Sequence, residues 1–180
     1  MIRNITNYNN MSDWWYLVPA VFLIDLVVIF LAKYPGKNPI IKINTLDKWY
    51  NEFGIFAIGS DVLSILIGIM VARYIYTALG LQGPLYFICI LVLFQLLHDL
   101  FFYFFVIVPM PSGHNKMIDV FKEYGIENGP KILVADALMM VSSVLVGSLL
   151  KSLPAQYTVS TAFLTLYSLC YITFTRKPVF

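Results

Sequence analysis

The sequence predicts an all-α integral membrane protein with five transmembrane helices, built as a tandem pseudo-two-fold repeat plus a fifth span. Three observations carry this. Only 12% of the 180 residues are charged and 59% are hydrophobic, against about 25% charged in a soluble domain. The mean hydropathy is +0.78, and the apolar runs are continuous rather than alternating, which excludes a β-barrel pattern. Two intramembrane aspartates separated by a basic loop recur later at almost the same spacing. The composition excludes a soluble enzyme, a nucleic-acid binder and a disordered tail, and a net charge of +2 is too small to demand a polyanionic partner.

A spanning helix needs about 20 mostly apolar residues. Five segments are long enough: Trp14 to Ala32, Glu52 to Leu79, Pro84 to Val108, Pro130 to Leu153 and Ala155 to Phe174. They divide the chain into a tail (1–13), a first repeat (14–79), a second repeat (84–153), a fifth span (155–174) and a short tail (175–180). Gly80, Gly83 and Pro84, and then Pro154, mark tight turns, so the spans they join are antiparallel.

Basic residues set the orientation. Lys33, Lys37, Lys42 and Lys48, then Lys116, Lys122 and Lys131, then Arg176 and Lys177 lie on one side, and Arg3, Arg73 and Lys151 on the other. This positive-inside bias places the C-terminus and both long loops in the cytosol and the N-terminus outside or in a lumen. The first run has no basic region before it, has no small-residue cleavage site and contains Asp25, so it reads as a span rather than a signal peptide. A lumenal tail would expose the sequons at Asn4 and Asn10 to glycosylation. Cys89 and Cys170 fall at different depths, which argues against a disulfide, and are expected to be buried as small hydrophobes.

The repeat is anchored on aspartates. Asp25 and Asp61 are 36 residues apart, and Asp99 and Asp136 are 37 apart. Between each pair lies a segment too short and too charged to span. In the first, about 45–53, Leu46, Trp49, Tyr50 and Phe53 form one apolar stripe. In the second, about 115–125, Met117, Phe121 and Tyr124 do so, with Asn115 as cap and Gly125 or Gly129 as stop. Both are expected to lie at the inner interface. Entering from the same face, the repeats are related by an axis along the membrane normal. In span two, Ser60, Ser64, Gly68 and Ala72 recur every four residues, and Ala135, Ser143 and Gly147 occupy aligned places in span four. Small faces of this kind let backbones approach closely, so spans two and four are expected to pack at the centre.

Counting inward at ~1.5 Å per residue, Asp25, Asp61, Asp99 and Asp136 lie roughly 12, 14, 15 and 8 Å deep. All four share the inner half of the bilayer, with His98 beside Asp99 and no basic residue at that level. A charge at mid-bilayer costs ~2.5–3.5 kcal/mol, so the acids are expected either to hydrogen-bond across helices or to share a proton or cation. Ser60, Ser64, Ser142, Ser143, Tyr74 and Tyr103 are the candidate partners in the first case. No nucleophile elbow, phosphate loop, zinc-protease helix or dinucleotide fingerprint occurs, and two histidines cannot supply the clusters of membrane di-iron enzymes. No catalytic residue, metal or cofactor is expected.

The run Trp49-Tyr50-Asn51-Glu52-Phe53-Gly54-Ile55-Phe56-Ala57-Ile58-Gly59-Ser60-Asp61-Val62-Leu63 through Tyr74-Ile75-Tyr76 resembles multi-spanning membrane proteins of nucleocytoplasmic large DNA viruses. His98-Asp99-Leu100-Phe101-Phe102-Tyr103 followed by Pro109-Met110-Pro111 is similar to the same group, and the resemblance spans about Asp25 to Gly147. It implies a virion inner-membrane or viral-factory location and assigns no catalytic or binding residue. Leu46 through Phe53 also looks locally like small sterol-isomerase or sigma-2-type bundles, from which five spans and a tandem repeat depart. The expected function is structural and non-enzymatic. Its expected partners are the bilayer, capsid or other membrane proteins bound through the basic loops, and a homo-oligomer, with no nucleic acid. The alternative is a small channel or a proton- or cation-coupled carrier using the aspartates, and a lipid- or sterol-binding protein or isomerase stands third.

Overall fold

A computed structural model describes residues 4–35 and 42–175. Among them are seven α-helices and no strand: α1 (Trp14–Lys33), α2 (Asn44–Phe53), α3 (Ile55–Ala78), α4 (Pro84–Phe102), α5 (Lys116–Asn128), α6 (Lys131–Ser152) and α7 (Ala155–Ile172). One turn of π-helix, Tyr103–Ile107, continues α4. Four segments are long and apolar enough to cross a membrane: Met11–Lys33, Ile55–Ala78, Pro84–Ile107 and Lys131–Ser152. The expected fifth span is helical as α7 but is not among them, because Gln156, Thr158, Ser160, Thr161, Thr165 and Ser168 dilute its apolar residues. It lies along α1 and α6 as a member of the bundle.

Helix boundaries follow local chemistry. Gly54, at φ 51°, ends α2 and starts α3, so the second span begins three residues later than the Glu52 expected. Gly can hold this left-handed conformation without a steric penalty. The Asn115 side chain accepts from the amides of Met117 at 2.9 Å and Ile118 at 3.2 Å, satisfying two donors that an open helix start would leave unpaired. Gly129, at φ 54°, stops α5. Gly125 stays within the helix, so α5 runs a turn past the expected end.

The packing order differs from the expected one. Spans two and four are not the principal pair: α1 packs most extensively on α6 and α7, and α3 on α4. The small residues divide accordingly. Gly147 faces α1 and the tail, where a Cβ would meet Leu17 at 3.1 Å and Ile5 at 3.4 Å. Gly68 lies under Met140 of α6 and Phe94 of α4, and Ala72 and Ser143 are fully buried. Ala135 is half-buried, whereas Ser60 and Ser64 are exposed. A four-residue step advances the helix by about 40°, so three steps rotate the stripe by roughly 120° off any single face. Cys89 and Cys170 are also exposed rather than buried, each on the outward side of its helix.

Candidate functional site

Buried polar groups collect at two levels, named inner for the end of the bundle that carries α2 and α5 and outer for the end that carries the N-terminal tail. At the inner level, Asp25 of α1 is fully buried and faces Asp61 of α3 across Tyr50 of α2. The Tyr50 hydroxyl lies 2.9 Å from Asp61 Oδ2 and 3.3 Å from Asp25 Oδ1. Trp49 Nε1 donates to the same Asp61 oxygen at 3.1 Å. Residues 49 and 50 reach both acids because Gly54 turns the chain between α2 and α3 and lays α2 beneath the two spans. Burial, then the fields of Asp61 and Asp25, hold the Tyr50 phenol well above its ordinary range, so it keeps its proton.

The other two acids belong to the same level. Asp99 Oδ1 accepts from Gln95 Nε2 at 2.6 Å and lies 3.2 Å from His98 Nδ1. The charges of Asp99 and Asp61 both reach Asp136. Tyr124 of α5 approaches from below, its phenol pushed upward by burial and then by Asp136, Asp61 and Glu127. Two carboxylate oxygens, Asp25 Oδ2 and Asp99 Oδ2, are buried without a hydrogen-bond partner. The level therefore links the four sequence-predicted aspartates in a row, Asp25 with Asp61, Asp61 with Asp136 and Asp136 with Asp99. It excludes His98 from their centre: that side chain is 42% exposed and stacks along its own helix between Phe94 and Phe102. Among the described residues, no group of three or more His, Cys, Asp or Glu side chains could hold a metal ion.

The expected partners of the acids are replaced. Ser64 Oγ donates to the Asp61 backbone carbonyl at 2.9 Å and Ser143 Oγ to the Met139 carbonyl at 2.8 Å, which is the usual way a helical serine satisfies itself. Tyr74 packs edge-on against Tyr8. The donors that reach the acids are Trp49, Tyr50 and Gln95. Trp49 and Tyr50 were legible only as an interfacial stripe, since nothing in the sequence says which way an interfacial ring points.

A cap closes the inner end. Trp49 packs on Phe53 and Phe121, with ring centroids 5.0 and 4.7 Å away. Lys48 pairs with Glu123 at 2.7 Å. Asn128 Oδ1 accepts from the Lys42 amide at 2.7 Å, while Asn128 Nδ2 donates to the Lys42 carbonyl at 3.0 Å. The Thr45 amide donates to Glu127 at 2.9 Å. Burial raises the Glu127 carboxyl, but the hydrogen bonds from Thr45 and Asn44 and the charge of Lys42 outweigh it, and the net direction is downward.

Several cations expected in the basic loops are engaged here. Lys33, the last residue of α1, is fully buried, with Nζ 2.5 Å from Asn51 Oδ1 and 3.0 Å from Asp47 Oδ1. Lys122 donates to the Met110 carbonyl. Lys42 and Lys116 are exposed, and Lys37, Arg176 and Lys177 lie outside the described residues, as does Arg3 at the other end.

The outer level is built from opposite charges. Arg73 of α3 is fully buried; its Nη2 pairs with Asp13 Oδ2 at 2.9 Å and donates to the Asn7 and Asn10 carbonyls. Its guanidinium lies 5.3 Å from the Trp14 ring centre, within cation–π range. Lys151 meets the second Asp13 oxygen at 2.5 Å and donates to the Asn4 carbonyl at 2.6 Å. The tail is thereby drawn over the bundle end. Asn10 is half-buried, its amide donating to Asp13 at 3.1 Å, while Asn4 is exposed with its side-chain oxygen taken by Thr6.

Two surface recesses, one along α4 lined by Phe94, Leu97, His98 and Phe101, the other between α1 and α7, are both open and mostly apolar. Compared with known protein families, curated proteins and solved structures, the chain matches none of them.

Proposed function

We propose that the chain is a non-enzymatic, structural multi-pass membrane protein in which intramembrane acids fasten interfacial helices to the spans. The observation that carries this reading is the engagement of Asp25 and Asp61 by Tyr50 and Trp49. One oxygen of each acid, Asp25 Oδ1 and Asp61 Oδ2, is bonded to the fold's own cap. The same acids hold α2 flat against α1 and α3, which suits a protein whose inner face must keep a fixed shape.

Five spans and a pseudo-two-fold repeat belong to this proposal. The order long helix, short amphipathic helix, long helix occurs twice. Exchanging the halves turns the α1–α6 contact into α4–α3, and both are extensive. Trp49 and Phe121, matched in the two halves, touch each other. Residues 155–174 then make the fifth span, and the N-terminus lies outside with the C-terminus in the cytosol. The resemblance to membrane proteins of large DNA viruses supports a virion inner membrane. Exposed Lys42 and Lys116 are the part of the basic face open to a capsid or membrane partner.

A second reading, a proton- or cation-coupled carrier, is favoured by the row of four acids and by the two orphaned carboxylate oxygens. Proteoliposomes separate the two. The structural reading expects no proton or cation flux from the wild-type chain and a loss of thermal stability in Asp61→Asn. Flux that disappears in Asp61→Asn and Asp136→Asn would establish the carrier instead.

A further inference from the structure

The Asp25, Tyr50 and Asp61 oxygens stand in a row, and their protons can be counted. Tyr50 has one hydroxyl proton and two carboxyl neighbours, at 2.9 and 3.3 Å. Asp61 has the shorter contact and a second donor, the Trp49 indole N–H on the same oxygen. The phenol proton therefore points to Asp61, whose carboxylate accepts from both rings. Asp25 is left facing the lone pairs of the Tyr50 oxygen. It is fully buried and its other oxygen has no partner. A carboxylate in that position would be an acceptor facing an acceptor, whereas a carboxylic acid donates its O–H to Tyr50 and completes a one-way chain.

We propose that this chain is a proton-controlled latch: the proton on Asp25 holds α2 seated against the spans, and its loss releases α2. Deprotonated, Asp25 becomes a buried charge with no donor beside a second carboxylate, a state that low dielectric makes costly. Lifting α2 is the movement that brings water to it, since Tyr50 lies between the two acids and Trp49 against Asp61. The latch rests on the fastening role proposed above and adds a condition under which the fastening fails.

Other groups around the latch do not supply this response. On α2 and α5 the charged groups are the Lys48–Glu123 pair, Glu52, Asp119, Lys122 and Glu127, and Lys33 of α1 is committed to Asp47 and Asn51. Tyr124 is held protonated. Asp136 of α6 and Asp99 of α4 face the same level, and His98 of α4 bonds Asp99 rather than the triad. The described part of α7 carries no acid or base apart from Cys170 and its tyrosines, and α7 packs mainly on α1 and α6.

The test uses the full chain in phospholipid nanodiscs with Trp14→Phe and Trp15→Phe, so that Trp49 is the only indole. Quenching of Trp49 by aqueous iodide is followed between about pH 5 and pH 9, on both sides of neutrality. The expected result is a reversible, several-fold rise in quenching as pH increases. Asp25→Asn, which can donate but cannot ionise, stays at the low level throughout, and His98→Gln keeps the wild-type transition. Tyr50→Phe, which breaks the chain whether or not Asp25→Asn inserts, is quenched strongly at every pH. A flat wild-type profile, an unchanged transition in Asp25→Asn or Tyr50→Phe, or loss of the transition in His98→Gln overturns the latch. A flat wild-type profile together with destabilised Asp61→Asn would sink the latch alone and leave the fastening role standing.

Discussion

The two ends of this bundle bury charge in opposite ways. At the outer end Arg73, Lys151 and Asp13 neutralise one another directly, with backbone carbonyls of the tail taking further donors. At the inner level four acids gather with no lysine or arginine among them and only His98 at the edge, and the donors include a phenol, an indole and an amide. The difference teaches what each arrangement is sensitive to. A hub of opposite charges depends on every member being present, because removing one strands another in low dielectric. A cluster of like charges depends on its protons, which solution conditions control.

The largest effect is expected from breaking the outer hub at its shared member. Asp13→Leu leaves Arg73 and Lys151 both without their carboxylate and should cost about 3–5 kcal/mol, read as a lowered thermal midpoint in nanodiscs by circular dichroism. Arg73→Met should cost less, since Asp13 keeps Lys151 at 2.5 Å. Equal losses from the two would show that Asp13 is not the hub. Gly147→Leu comes next, at about 1–3 kcal/mol, because the new side chain must displace Leu17 and Ile5 where α1 meets α6. The same thermal measurement checks it.

Tyr50→Phe tests the inner level by removing only an oxygen. Losing the hydroxyl that bridges Asp25 and Asp61 should cost about 1–3 kcal/mol, and unlike Asp13→Leu its effect should vary with pH. Equal stability loss across the pH range would erase the contrast between the two ends. The smallest change concerns the cap. Glu127, held below its ordinary 4.5 by the Thr45 hydrogen bonds, stabilises the α2–α5 contact above that pH and loses the contribution as pH falls through the depressed value. Protection of the Thr45 amide from hydrogen exchange, corrected for intrinsic rate, should drop on acidification and be low at all pH in Glu127→Gln. Lys48→Ala, at an exposed pair, should leave the thermal midpoint unmoved.

Much of this was readable in one dimension. Apolar runs marked five long helices, four of them apolar enough to cross a membrane, and amphipathic stripes marked the two short helices between them. What escaped was pairing. Arg73 and Asp13 are 60 residues apart, and no local pattern announces such a contact. Lys33 read as a loop cation because its charge is visible in sequence and its burial against Asp47 and Asn51 is not. The fifth span was read from its length and position, and the polar residues of α7 left it short of the hydropathy of the other four.

An all-helical chain with four helices long and apolar enough to cross a membrane could be read from the residues in order, because hydropathy and helical period are properties of contiguous residues. Only the tertiary structure decided that Tyr50 and Trp49 turn toward Asp25 and Asp61, that α1 rather than α3 is the principal partner of α6, and that Asp13 joins two cations. Those choices depend on which helix faces meet, and that is set by the packing of the whole bundle rather than by any one segment.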